Sequence, residues 1–253
     1  MKIAVLVKQT PQLSEVSWGA DGLQWPDDTP GVNPFDEYAV EEAIRIKEKM
    51  GGTAIAITYG NAGAVSVLRD VLALGIDEAY HIASDHYSAT DPQKNARALA
   101  ACIKKIGDID LVLTGKSACD DDSALVGPAV SAYLDWPQIT FVKKFDSLEN
   151  GKVVAWRTTD SGHEVVESTL PVVCSVVKEI NEPRLPSLKG KMRAKKMDIK
   201  RFSLEDLGVN LTPTIEIRSI NQPPARSRGE IIQGEPDVAV EALVRKLKSD
   251  KLI

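Results

Sequence analysis

Leu111-Val-Leu-Thr-Gly-Lys-Ser-Ala-Cys-Asp-Asp-Asp-Ser-Ala-Leu-Val-Gly-Pro128 is the stretch on which the fold turns. A short apolar strand ends at Gly115, a polar loop with three consecutive acids follows, and Ser123 opens a run with helical spacing that predicts a helix over 123–134. Strand, glycine turn and helix start are the order in which α/β folds hold a phosphate, with free backbone N–H groups and the positive end of a helix dipole turned to the anion. The candidate donors are the turn at Gly115, the charge of Lys116 and the backbone of Ser123, Ala124, Leu125 and Val126. Neither GxxxxGK[ST] nor GxGxxG is present, so spacing alone leaves open a phosphate cradle or a capped helix behind a solvated loop. Carboxylates such as Asp120, Asp121 and Asp122 can hold a divalent cation. The favoured reading is that they accept bonds from loop amides or cap the helix. No metal site is assigned.

Around this segment the first two-thirds of the chain alternates strand and helix. Ile3–Val7, Thr53–Tyr59, Ala79–Ala83 and Leu111–Thr114 are apolar runs of strand length. Between them lie helical patterns: one opened by Asn33-Pro-Phe-Asp36, one over Ala64–Leu74 ending at Gly75, and one over Pro92–Ile106. Gln9–Gly31 is rich in Pro, Asp, Gly and Trp and reads as a loop or small hairpin. The repeat predicts an α/β fold, a mostly parallel, Rossmann-like sheet with helices on both faces, whose ligands bind at the carboxyl ends of the strands. Phe141–Lys144, Lys152–Thr158, Glu164–Leu170 and Pro171–Val177 are short, with turn signals between them, and read as antiparallel additions. Residues 1–183 are therefore expected to form the nucleotide-binding domain, and 184–253 a basic loop and extended arm. In that arm Ile215–Ile220 reads as a strand and Val238–Lys248 as an amphipathic helix.

Composition narrows the function. A net charge of -5 argues against nucleic acid as partner. No apolar run approaches the roughly 18 residues of a membrane span. Met1-Lys-Ile-Ala-Val-Leu-Val-Lys8 reads as a first strand rather than a signal peptide, so a cytoplasmic protein is expected. Cys102, Cys119 and Cys174 are widely spaced, which fits a reducing compartment, and Cys174 reads as a core residue. His81, His86 and His163 form no spaced cluster, and no catalytic residue is assigned. Glu182–Arg201 carries eight Lys or Arg against two acids, with Leu185 and Leu188 exposed among them. An apolar anchor ringed by charge suits a protein-docking surface; a plain solvated loop is the other reading.

Several motifs together resemble the small (β) subunit of electron-transfer flavoproteins. They are Val32-Asn-Pro-Phe-Asp-Glu-Tyr-Ala-Val-Glu-Glu-Ala43, Gly115-Lys-Ser-Ala-Cys-Asp-Asp-Asp122, Leu134-Asp-Trp-Pro-Gln138, Ile180-Asn-Glu-Pro-Arg184 and Arg193-Ala-Lys-Lys196, with Val154–Val177 resembling the family signature. The resemblance implies an electron-carrier subunit, not a stand-alone enzyme, paired with a larger α subunit that holds most of an FAD. The β subunit would bury AMP, with phosphate on the backbone of 123–126 and Leu6, Asn33, Tyr59, Gly115 and Asp121 around the adenosine. Phe35 would approach the flavin, and Leu13 stands where the family often has Tyr. The 184–196 loop would receive flavin dehydrogenases through Leu188, with Leu185 and Met192 beside it. Electron-bifurcating members bind a second FAD in place of AMP. Here Asp121-Asp-Ser resembles the AMP type and Val126-Gly-Pro the other, and AMP is the favoured reading. A stand-alone nucleotide-binding regulatory module and an ATP-using enzyme are the rivals from other classes. The first leaves the long tail unexplained, and the second lacks a phosphate-loop lysine motif and a base.

Overall fold

The computed structural model describes the chain except residues 12, 13, 15, 20, 21, 25–29, 86 and 225–228. Leu13 and His86 therefore lie outside the described residues. In chain order the elements are β1 (Lys2–Leu6), β2 (Gln9–Pro11), β3 (Ser17–Gly19), β4 (Gly22–Gln24), β5 (Pro30–Val32), α1 (Pro34–Met50), β6 (Thr53–Gly60), α2 (Val65–Leu74), β7 (Glu78–Ala83), α3 (Pro92–Ile106) and β8 (Leu111–Gly115). Then come α4 (Val126–Leu134), β9 (Gln138–Glu149), β10 (Lys152–Thr159), β11 (Gly162–Thr169), β12 (Val172–Val176), α5 (Leu188–Lys196), β13 (Ile199–Phe202) and α6 (Pro236–Ser249). Met1–Ser219 forms one compact unit and Ile220–Ile253 a second.

The main sheet has the order β11-β10-β9-β12-β8-β1-β6-β7-β13. From β12 to β13 every pairing is parallel. The chain runs outward from β1 through β6 and β7, then returns to place β8 on the other side of β1. That reversal opens a crevice at the carboxyl ends of β1 and β8. One face packs Val40, Ile44, Leu68 and Leu72 of α1 and α2 against Ile3, Val5, Leu111 and Leu113. The other packs Leu99 and Ile103 of α3 and Val130 and Leu134 of α4 against Ala4, Ile55, Ile57 and Val112.

Local signals set the helix ends. Asp91 accepts from the Lys94 amide at the start of α3, Pro92 occupies its first turn, and Gly107 closes it at φ 70°. Gly75 ends α2 at φ 136°, a conformation that favours glycine.

Four expectations change. Pro171–Val177 was expected in an antiparallel set, yet β12 pairs parallel with both β8 and β9. All five of its residues are buried, and an unbroken apolar run belongs to a strand covered on both faces. Among the described residues, β9, β10 and β11 form the antiparallel extension of the main sheet. The helix expected from Ser123 begins at Val126. The basic segment read as loop contains α5, and β13 adds to the sheet edge beside β7, so the first compact unit runs past residue 183 to Ser219. Ile215–Ile220 carries no strand. In the second unit, α6 leaves Val238, Val240, Leu243 and Val244 exposed.

Leu113→Ala empties a fully buried position in a central strand and is expected to lower the unfolding free energy by about 2–5 kcal/mol, read by urea titration.

Candidate functional site

Asp36 organises the crevice. It sits in the first turn of α1, 6% exposed. One carboxyl oxygen accepts from the Lys8 amide at 2.8 Å, just past β1, and the other from the Gly115 amide at 3.1 Å, at the end of β8. Such close approach requires glycine: a Cβ on Gly115 would stand 2.6 Å from the Asp36 oxygen and 2.6 Å from the Phe35 carbonyl carbon. Burial pushes the Asp36 carboxyl from its ordinary 3.8 up to about 7, against the pull of the Lys8 and Gly115 amides, Asn33 and the Lys8 ammonium. Asn33 occupies the N-cap position of α1 without capping it. Its side chain instead donates to the Ser117 carbonyl at 2.8 Å and accepts from the Cys119 amide at 3.1 Å, fastening the acidic loop.

Each of the three acids has a partner within the protein. Asp120 pairs with the Lys8 ammonium at 2.7 Å. Asp121 accepts from the Ser123 amide at 3.1 Å and lies 3.7 Å from Lys8. Asp122 accepts from the Ser117 hydroxyl at 2.7 Å. Among the described residues no His, Cys, Asp and Glu group is placed to hold a metal ion. The Asp121 bond also explains why the helix starts late: it captures the Ser123 amide in a turn, and Ala124 follows at φ 53°, outside helical space. The Ser123 amide is therefore engaged by Asp121. The helix itself begins with no side-chain cap and no acid in its first turn. The first-turn amides of α4 thus lack partners from within the helix, and they carry the positive end of its dipole.

These groups meet in one cleft. Leu6, Asn33, Tyr59, Gly115, Lys116, Asp121, Ser123, Ala124, Leu125 and Val126 all line it. Phe35 does not; it is half-buried beneath the Lys116 ammonium, 4.7 Å from the ring centre. Sequence reasoning missed Tyr87, Asn95 and Leu99, which line the same cleft. Asn95 and Leu99 stand four apart on α3, one turn of a helix, and no motif marks them. The Asn95 carboxamide is buried and its Oδ1 has no hydrogen-bond partner among the described residues.

The remaining candidates have structural places. His81 is buried in β7, and burial holds it below its ordinary value. His163 stacks on Trp156 with ring centres 4.7 Å apart. Cys174 is fully buried and its thiol is pushed up to about 12.

Leu185, just before α5, and Leu188 and Met192 within it make up an exposed apolar patch, with Leu185 91% and Leu188 76% exposed. The patch is anchored from beneath. Buried Glu41 of α1 accepts from Arg184 Nε at 2.8 Å and Arg45 Nε at 2.6 Å. Burial pushes Glu41 up, but these bonds outweigh it and hold the carboxylate below its ordinary value. Asn181 donates to the Tyr38 carbonyl and to Glu42, both at 3.0 Å. Arg193 donates to the Leu72 carbonyl at 2.9 Å, and Arg69 to the carbonyls of Ala194 and Met197. Gly190 lies so close to α2 that a Cβ there would meet the Ala73 carbonyl oxygen at 2.2 Å.

The family model for the electron transfer flavoprotein domain matches residues 27–207. The chain is 36% identical, over the whole of both chains, to the electron transfer flavoprotein subunit beta of Thermoanaerobacterium thermosaccharolyticum. It is equally similar, again over the whole of both, to the caffeyl-CoA reductase-Etf complex subunit CarD of Acetobacterium woodii. With the electron transfer flavoprotein subunit beta of Bos taurus it shares 39% identity over 86% of this chain and 84% of that one.

The raised Asp36 carboxyl carries a pH signature. Between its ordinary 3.8 and about 7 the folded protein binds a proton that the unfolded chain has released. This group's contribution to stability is full below the lower value and is lost as pH rises through the upper one. A carboxyl-carbon NMR titration should place the Asp36 midpoint near neutrality; a midpoint in the ordinary carboxylate range contradicts it. Gly115→Ala should lower stability by about 1–3 kcal/mol, measured by urea titration.

Proposed function

The chain belongs to the electron transfer flavoprotein family as a β subunit, and from that premise we propose how it serves electron transfer. It pairs with an α subunit that holds most of an FAD, the group that supplies the redox chemistry. This chain contributes a structural AMP site and the docking surface for flavin dehydrogenases. The observation that carries the nucleotide reading is the uncapped start of α4, opening on a cleft at the sheet's reversal point. The amides of Ala124, Leu125, Val126 and Gly127 would receive the phosphate, and Lys116 would add positive charge. Leu6, Leu99, Tyr59 and Tyr87 offer apolar walls for a base. Asn33, Gly115, Asp121 and Ser123 shape the cleft, mainly by holding the loop. Phe35 approaches the flavin of the partner subunit. No side chain need act as acid or base, and the complex works as a carrier in the cytoplasm. The open apolar face of α6 gives the arm a surface to pack on the α subunit.

A second reading, a second FAD in the cleft of an electron-bifurcating complex, is favoured by Val126-Gly127-Pro128. Cofactor analysis of the co-purified αβ complex separates the two. One FAD per heterodimer with AMP on denaturation is the expected result; two FAD and no AMP would establish the second reading. A stable chain without α subunit, flavin or nucleotide would overturn both in favour of a free-standing regulatory module.

Leu188→Ala in the αβ complex should slow electron acceptance from a flavin dehydrogenase by roughly tenfold, the loss typical of an interface anchor, with flavin content unchanged. Stopped-flow reduction reads the rate, and loss of flavin in the variant contradicts a docking role.

A further inference from the structure

We propose that Asn95 selects the base of the bound nucleotide, its Oδ1 accepting a hydrogen bond from an exocyclic amino group and so favouring adenine over bases that carry oxygen there. This rests on the nucleotide reading above and adds a specificity determinant to it.

The orientation of the carboxamide is determined by its surroundings. Asn95 follows the first turn of α3, where Asp91 caps the helix and Asn95's own amide donates to the Asp91 carbonyl at 3.0 Å. Its Nδ2 donates to the Ser88 carbonyl at 2.9 Å. Turning the amide over would set oxygen against that carbonyl, so the other end is an acceptor. The residue is 5% exposed and lines the cleft, yet Oδ1 has no partner among the described residues. A buried acceptor left unpaired is unfavourable, and native interiors rarely keep one without a purpose or a ligand.

The neighbouring walls fit a flat base. Tyr59 and Tyr87 meet edge to face with ring centres 5.1 Å apart, and Leu6 and Leu99 are apolar. The phosphate-facing start of α4 belongs to the same cleft. Lys8, which also lines the cleft, is engaged by Asp120 and the Ala89 carbonyl. An acceptor-only contact pairs with the 6-amino group of adenine and opposes the 6-oxygen of hypoxanthine or guanine. A site built around such a bond also discriminates against a base that lacks the donor.

The test exchanges the co-purified αβ complex against AMP, IMP and purine riboside monophosphate, which has no group at position 6. Retained nucleotide is released by acid and quantified by chromatography. The wild-type complex should retain AMP at least about tenfold better than either analogue, and Asn95→Leu should shrink that preference to less than about threefold while still retaining AMP. The wild-type comparison stands alone if the variant fails to fold. Equal retention of all three overturns the role of Asn95, assigns its Oδ1 to water, and leaves the nucleotide reading intact. Retention of none overturns both. If FAD occupies the cleft instead, the same comparison is made between FAD and FAD deaminated at the adenine, with the same two outcomes.

Discussion

One buried carboxylate ties the crevice together. Asp36 takes the amide that follows β1 with one oxygen and the amide that ends β8 with the other. These two neighbouring strands flank the point where the sheet reverses its order. In parallel sheets the strand ends leave amides that no neighbouring strand can receive. Here a helix start supplies the acceptor. The result is a fixed distance between α1 and β8, and from β8 the acidic loop departs in a set direction. Asn33 repeats the device one turn earlier, gripping Ser117 and Cys119. The loop acids then satisfy one another's surroundings through Lys8, Ser117 and Ser123. The start of α4 has no side-chain cap, and its residues line the cleft.

The second constraint is the anchoring of α5. Exposed apolar residues on a freely moving segment would have to be ordered by any contact they made, and that entropy would offset the contact energy. Glu41 and Arg184 hold the segment that precedes it, and Arg69 and Arg193 hold the helix from the side of α2. Glu41 is buried and its attraction to two guanidinium groups exceeds its burial penalty. Hence Leu185, Leu188 and Met192 stand on a pre-organised base, and the exposed apolar area comes with little entropy still to lose.

Much of the architecture was legible because local chemistry and global fold agree. Pro92–Ile106 was readable to the residue, since Asp91, Pro92 and Gly107 each mark an end that physics imposes. The apolar runs of β1, β6, β7 and β8 could only be buried strands. The start of α4 was misplaced because Asp121 captures the Ser123 amide, a competition that helical spacing does not reveal. The direction of β12 was misread because strand patterns encode burial, not the sense of their neighbours. Basic residues hid α5, whose Arg193 donates to the carbonyls of Leu72 in α2 and of Ile76 just beyond it.

The sequence by itself determined the class of fold, the family, the loop between β8 and α4 and the apolar residues set among basic ones, because each is written in consecutive residues with a local physical meaning. Only the tertiary structure decided which atoms of that loop are engaged, that Phe35 stands outside the cleft, and that Tyr87, Asn95 and Leu99 line it. Those outcomes depend on contacts between residues far apart in the chain. The reason is geometric: a hydrogen bond such as Asp36 to Gly115 spans 79 positions of sequence and less than 3.5 Å of space, and no local pattern records where such partners meet.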